Sequence, residues 1–412
     1  MEGVATDPSF ADLSYTRVDD PGSFSLSEAF EVGADLARNG LFAQPTDPVR
    51  VGRFEVELRT RLLPAGTGSP ATTPTLWDLL LYGDRVPDPP TWVLSAAERA
   101  RLAKVTSHYR NLNDHASYSD VRVGFAPLQF FAGGSYESIA VPRTRVEYLS
   151  PDPILWLHDA SWYRGELFID FLGSAFDPYP AGQASDEWWF GAPLHAMGYG
   201  DRGADWLFAG VADLRDSGGH NGYPWEWSDD PVAAQAFRLY RNGRLQASAK
   251  DPFLQVTVPA AAARYRLERD LDLDGLMGLA NRSLTRWWFT SASPGGQDPY
   301  GQLPLLTVDY QADPLGGRNG AVAGQPVTID LAVARQEGAE TSRVVATYLW
   351  FSTDDGATWR KVRLRRVDPG HYRGVLPGSR LRSGTWVSLR TWARDAGDSR
   401  IHQALIRAFP VR

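Results

Sequence analysis

Cysteine is absent from this chain of 412 residues, so disulfides, thiolate metal sites and cysteine nucleophiles are excluded together. The same absence leaves the compartment open, because a cysteine-free chain suits both the cytoplasm and a bacterial exterior. No stretch approaches the roughly 18 to 20 consecutive apolar residues of a membrane-spanning helix. The opening residues MEGVATDPSFADLSY lack a basic segment followed by an apolar one, so no export signal is expected within the chain. Basic charge is not in surplus either. Lys and Arg number 42 against 49 Asp and Glu, a formal net charge of -7, which argues against a nucleic-acid partner held through its phosphates. Methionine is scarce, at 3 residues, and aromatic rings are plentiful: 15 Trp, 16 Tyr and 18 Phe, punctuated by 39 Gly and 29 Pro. That profile favours short strands and tight turns over helical bundles. Hydrophobic residues at 43% rule out wholesale disorder, and the length accommodates about two to four domains.

Periodicity agrees. In VRVGRFEVELRTRL (49–62), Phe54, Val56 and Leu58 alternate with Glu55, Glu57 and Arg59, the pattern of a half-buried strand. Ser95 and Glu98 form a capping-box signature, from which one helix is expected over 96–109. Further strands read from YSDVRVGF, SIAVPRTRVEYLS, LQVTVPA, RYRLERDLDL and RWWFTSA, and Asn242-Gly243 marks a two-residue hairpin within AFRLYRNGRLQAS. Beyond Gly316, six to seven strands with turn signals every 8 to 12 residues read as a small immunoglobulin-like or fibronectin-type sandwich. The expectation is a mostly β, multidomain protein of antiparallel β-sandwiches with one short helix. It would comprise an N-terminal β-rich unit (1–140), a central sandwich-like unit (141–312) and a C-terminal immunoglobulin-like sandwich (313–412).

Chemistry is harder to find. Asp216, Ser217 and His220 lie within five positions, but triad members converge from separate elements, so a Gly- and Asn-rich turn is expected there. Asp270, Asp272 and Asp274 followed by Gly275 match the first six positions of a calcium loop, whereas position twelve is Asn281 and no bidentate glutamate closes it. Alternating Leu and Asp equally describes a strand with one solvated face. No cofactor is otherwise expected, and the seven histidines show no zinc-ligand spacing. Ser352, Asp354, Gly356 and Trp359 in STDDGATW resemble the Asp box of sialidases and other β proteins, a structural hairpin in which Ser and Asp hold the turn and Trp packs beneath it. Two aromatic pairs, Trp188 with Trp189 and Trp225 with Trp227, are candidates for a platform that stacks on sugar faces or extended peptides. Trp287, Trp288 and Phe289 read instead as a core strand.

DEWWF (186–190) followed by GAPLH, the GGHNG turn (218–222), FRLYRNGRL, ARYRLERDLD, RWWFTSA, LPLLTVDY and FSTDDGATWRKVRL occur in one order. That order resembles the long non-catalytic C-terminal region of large secreted subtilisin-like serine proteases of actinobacteria. FEVELRTRLLP, LWDLLLYGDRVP and SHYRNLN are similar to its earlier β unit. The catalytic signatures of the family are missing: its Asp-Thr/Ser-Gly, His-Gly-Thr and Gly-Thr-Ser-Met-Ala motifs have no counterpart beyond Asp216-Ser217-Gly218. The resemblance implies an extracellular accessory region without catalysis of its own, partnered in cis or in trans by a subtilisin-like catalytic domain. It would support the fold, position protein substrate or hold the enzyme at a surface. A carbohydrate-binding β-sandwich protein, with a polysaccharide ligand on the aromatic pairs, is the alternative.

Overall fold

Alternating sequence becomes strand throughout the computed structural model, which describes residues 8–17, 26–30, 54–62, 75–80, 94–112, 116–125, 134–164, 167–174, 176–222, 235–274, 276–295 and 300–412. Pairing is antiparallel in nearly every ladder, with Thr75–Asp78 beside Arg143–Leu149 a parallel pair. The fold is therefore mostly β, built of antiparallel sandwiches, with a single short α-helix among the described residues. Two compact units divide the chain. The first takes Met1–His108, Tyr118–Ala160 and Ser174–Glu187, and the second Tyr109–Ser117, Ser161–Gly173 and Trp188–Arg412.

In the first unit, Phe54–Leu62 pairs with Pro8–Arg17, so the alternation from Phe54 onward does form a strand, and 49–53 lie outside the described residues. A four-stranded sheet runs in the order Ala184–Trp189, Ala103–Tyr109, Arg143–Leu149, Thr75–Asp78, and Leu155–Arg164, Ala116–Phe125 and Gly134–Ile139 lie side by side in a second sheet. Ala103, Val105, Leu149, Ile154 and Trp156 form a buried apolar cluster there. The helix is shorter than expected. Ser95 and Glu98 do cap it reciprocally, but it ends at Arg101, and Ala103–Tyr109 is a strand with every second residue buried. The β-branched Val105 and Thr106 favour the pleated form, and the backbone of Lys104 is taken up by Gln183.

The second unit is organised around an eight-stranded sheet. Its order is Arg244–Ala249, Gln235–Arg241, Ala263–Asp272, Arg282–Ser291, Arg400–Pro410, Trp386–Asp395, Val344–Ser352, Arg360–Val362. Asn242 and Gly243 turn the first hairpin at φ 49° and 82°, the positive values that this dipeptide tolerates. A four-stranded sheet of Phe253–Thr257, Trp206–Arg215, His195–Arg202 and Gly301–Gln302 covers one half of the inner face. Contacts between these layers are close: a Cβ on Gly198 would lie 2.8 Å from Trp287, and Gln403 Nε2 donates to the Ala196 carbonyl at 2.7 Å. Over the other half, the sheet order is Leu306–Asp313, Val327–Arg335, His371–Leu376, Arg365–Asp368. In chain order these two C-terminal half-sheets are A-B-E-D and G-F-C-C′, the arrangement of an immunoglobulin sandwich. The boundary expected between 312 and 313 falls inside strand Leu306–Asp313, and Arg282–Ser291 pairs with Arg400–Pro410, so the expected central and C-terminal regions share one sheet. Residue 141 likewise has first-unit residues on both sides.

Candidate binding face

The aromatic pair at 188 and 189 cannot act as one platform, because adjacent residues of a strand point to opposite faces. Trp188 is 44% exposed, with the Arg110 guanidinium 5.1 Å from its ring centroid, while Trp189 is fully buried. Its ring stacks on His220 at 3.5 Å. Trp225 and Trp227 lie outside the described residues. The Asp216 loop is a turn: the carboxylate accepts from the N–H groups of Gly218 and His220, both at 2.9 Å, and meets His220 Nδ1 at 3.1 Å. The three aspartates at 270, 272 and 274 have separate partners. Asp270 pairs with Arg238 at 2.8 Å, Asp272 accepts the N–H of Asp274 at 3.0 Å, and Asp274 accepts from Asn281 at 3.1 Å. Among the described residues they form no group that could hold a metal ion.

The hairpin at 352–359 has the geometry its residues suggest. Ser352 Oγ donates to Asp354 at 2.5 Å and accepts the Gly356 N–H at 2.9 Å. Asp354 also accepts the N–H of Thr358 at 2.9 Å and its hydroxyl at 2.5 Å, and these hydrogen bonds from Ser352 and Thr358 hold its carboxyl at about 2. Gly356 has φ +85°, and a Cβ there would lie 2.9 Å from Ile406 and 3.2 Å from Trp359. Trp359 is half-buried against the turn, less enclosed than a core tryptophan.

A cluster that the strand patterns hid lies between the two sheets of the first unit. Arg122 Nη2 donates to Glu147 at 2.5 Å and to Glu187 at 3.1 Å. Arg145 binds Glu137 at 3.2 Å and also grips Asp120 and Glu147, and Tyr179 donates to Glu187. His158 places Nε2 2.7 Å from Asp120 and Nδ1 2.9 Å from Glu187. Burial opposes ionisation of these acids, yet the two guanidinium groups and His158 outweigh it and hold Asp120, Glu147 and Glu187 below the usual carboxylate range. Burial and Arg122 likewise press His158 downward, and Asp120 and Glu187 overcome them and raise it. This ionic core is mostly fully buried, with Glu187 15% exposed and Tyr179 half-buried at its margin.

On the outer side of the eight-stranded sheet, most of the described side chains are half-buried or exposed. Directly paired residues share a face, so the registers build three rows across the strands. One row holds Lys361, Trp350 and Arg390. The next holds Tyr348, Trp392, His402, Arg286, Glu268 and Arg238. The third holds Arg394, Arg400, Trp288, Arg266 and Tyr240. Tyr348 is 40% exposed and stacks with Trp392 at 5.7 Å. Cations lie on the rings: Lys361 Nζ is 4.4 Å from the Tyr348 centroid, Arg266 is 4.2 Å from that of Tyr240, and Arg390 is 4.9 Å from Trp350 and 4.7 Å from Trp359. Each such contact contributes about 0.5–1 kcal/mol at an exposed site. The sequence reading placed Trp288 in the core with Trp287; only Trp287 and Phe289 are buried, and Trp288 stands on the open face.

No family model and no curated protein matches the chain. Among solved structures it is similar to one titled "Titin Ig tandem domains A164-A165", at 9% identity, covering 52% of this chain and 100% of that one with a TM-score of 0.16.

Two outcomes are expected. The depressed carboxylates of the ionic core contribute stability that is fully present above their unfolded pKa of about 4 and is lost as pH falls. Raised His158 contributes fully below about 6.5 and loses its share as pH rises through its folded value. Amide-exchange protection over 118–125 and 143–149, corrected for intrinsic rates, should therefore peak between about pH 4.5 and 6.5; a flat profile from pH 3 to 8 would contradict this. At the hairpin, Trp359→Ala should cost about 2–3 kcal/mol in a urea melt of the full chain, below the figure for a fully buried tryptophan. Asp354→Ala should also lower the midpoint. A Trp359→Ala protein melting at the native midpoint would show that the ring does not underpin the turn.

Proposed function

We propose that this chain is a non-catalytic binding region that holds a secreted enzyme against a polymer, and that the outer face of the eight-stranded sheet is the surface that does so. By the resemblance given above, the enzyme is a subtilisin-like serine protease joined in cis or in trans, and the setting is extracellular. One observation carries the reading: five aromatic side chains, Trp350, Tyr348, Trp392, Trp288 and Tyr240, stand in register on one open sheet face. Tyr348 is exposed and the other four rings are half-buried, and large rings gathered on one solvent-reaching face mark an interaction surface. A sheet face suits an extended chain laid across strands more than a small molecule, which binds enclosed in a pocket. The enclosed His220, stacked on Trp189 and bonded to Asp216, supports a structural rather than nucleophile-activating role for that loop.

Depletion of the full chain from solution by insoluble polysaccharides tests the proposal. At least one polymer should retain the native protein, and Trp350→Ala with Trp392→Ala should weaken retention about ten-fold or more while leaving far-UV circular dichroism unchanged. Retention of the folded double variant at the native level, or no retention on any polymer, would overturn it.

A further inference from the structure

Charge on the open face singles out a class of ligand. We infer that the outer face of the eight-stranded sheet binds an acidic polysaccharide, a sugar chain with carboxylate or sulfate groups at regular intervals. This rests on the polymer-binding reading of the same face and adds the chemistry of the polymer. The whole chain is acidic at -7, yet this face is basic. Its three rows carry seven lysine and arginine residues, and the carboxylates paired to them are Glu268, Asp270 and Asp398. Glu268 alone serves both Arg266, at 3.1 Å, and Arg286, at 3.3 Å. Arg390 and Lys361 sit on aromatic rings at the opposite end of the sheet. Burial together with the positive field of Arg390 and Arg286 keeps His402, in the middle row, below its ordinary pKa.

Geometry separates an acidic sugar chain from other polyanions. Nucleic acid on an open sheet stacks its bases on bare ring faces, but here guanidinium and ammonium groups already lie over Trp350, Trp359, Tyr348 and Tyr240. What the face offers is guanidinium and ammonium groups set against aromatic planes. Arginine in that setting is weakly hydrated and presents a planar fork that matches carboxylate or sulfate. An acidic peptide would gain most of its affinity by adding to a sheet edge, whereas of the seven cations only Lys361 lies on an edge strand and the other six lie on inner strands. Neighbouring strands are about 4.8 Å apart, so successive side chains along one row are spaced at about the scale of single sugar units. Between anionic contacts, the apolar faces of pyranose rings would cover Trp392 and Trp288.

Binding of the full chain to soluble polygalacturonate and heparin, with dextran, polyuridylate and polyglutamate in parallel, tests the inference by affinity electrophoresis. Polygalacturonate or heparin should retard the native protein, and raising NaCl from 50 to 500 mM should weaken that retardation severalfold, since surface charge contacts are screened. Exchanging Lys361→Glu with Arg390→Glu should weaken it about ten-fold or more, while the charge-matched control Arg365→Glu with Arg382→Glu, at exposed positions off this face, should leave it within about two-fold. Should the charge reversal fail to fold, Lys361→Gln alone must still weaken binding. Retardation by polygalacturonate but not heparin, or the reverse, identifies the anionic group. Equal retardation by dextran, insensitive to salt and to the charge reversal, would overturn the inference and leave the polymer-binding reading standing. Retardation by polyuridylate or polyglutamate alone would overturn it in favour of that class. No retardation by any polymer would overturn both.

Discussion

Across five strands of the eight-stranded sheet runs an inner row of Ala393, Ile401, Trp287, Leu267 and Leu239, each at most 1% exposed. Trp287 closes under Gly198 and donates its indole N–H to the Leu306 carbonyl at 2.9 Å. Burying each large side chain of that row stabilises the fold by roughly 1.5–3 kcal/mol. A slip of one residue in any ladder would turn the row outward, so register is fixed by the core. Everything on the other side follows from that constraint: Trp392, His402, Arg286 and Glu268 line up because Ala393, Ile401, Trp287 and Leu267 are locked beneath them.

The inner face is not uniformly apolar, and its polar members serve the layers above it. Arg269 is fully buried and forks onto Asp213 at 2.8 and 2.6 Å, with Gln235 at 2.6 Å. Gln403 reaches Ala196 and Thr285. Breaking such a buried pair leaves one charge without a counterpart and is far more costly than never having built it. The first unit uses the same device on a larger scale. Its two arginines, four carboxylates and histidine are close to mutually neutralising, which makes an ionic core tolerable and also ties it to pH. The carboxylates and guanidinium groups there are spent on one another, whereas on the open face exposed Lys361 and half-buried Arg390 are set against aromatic rings.

Much of the fold was legible because strand alternation is a local signal. The hairpin at Asn242 and Gly243, the capping box at Ser95 and Glu98, the hairpin at 352–359 and the immunoglobulin-like C-terminal strands all read from short stretches. The helix failed at its end because a good cap says where a helix starts and nothing about where tertiary pairing stops it. The ionic core was hidden because Arg145 and Glu147 share parity with buried Leu149, and charge at an inward position looks like an outward face until the opposite sheet is known. The open face was missed for the reverse reason. Tyr348 and Trp350 alternate with Leu349 and Phe351, and Arg390, Trp392 and Arg394 with Leu389, Thr391 and Ala393; both parities carry large apolar groups. The pattern RTWAR, cation and ring on one parity, was the available clue. Pairing Trp188 with Trp189 ignored the pleat that separates them.

Oxidative footprinting of tryptophan, read peptide by peptide with and without polygalacturonate, tests most directly the claim that the open face is the binding surface. In the free protein Trp350, Trp392 and Trp288 should be oxidised and Trp189 and Trp287 spared, and polymer should suppress oxidation at the first three. Polymer bound with those three still oxidised at the free-protein rate would show that the ligand lies elsewhere and that the open face is not the site.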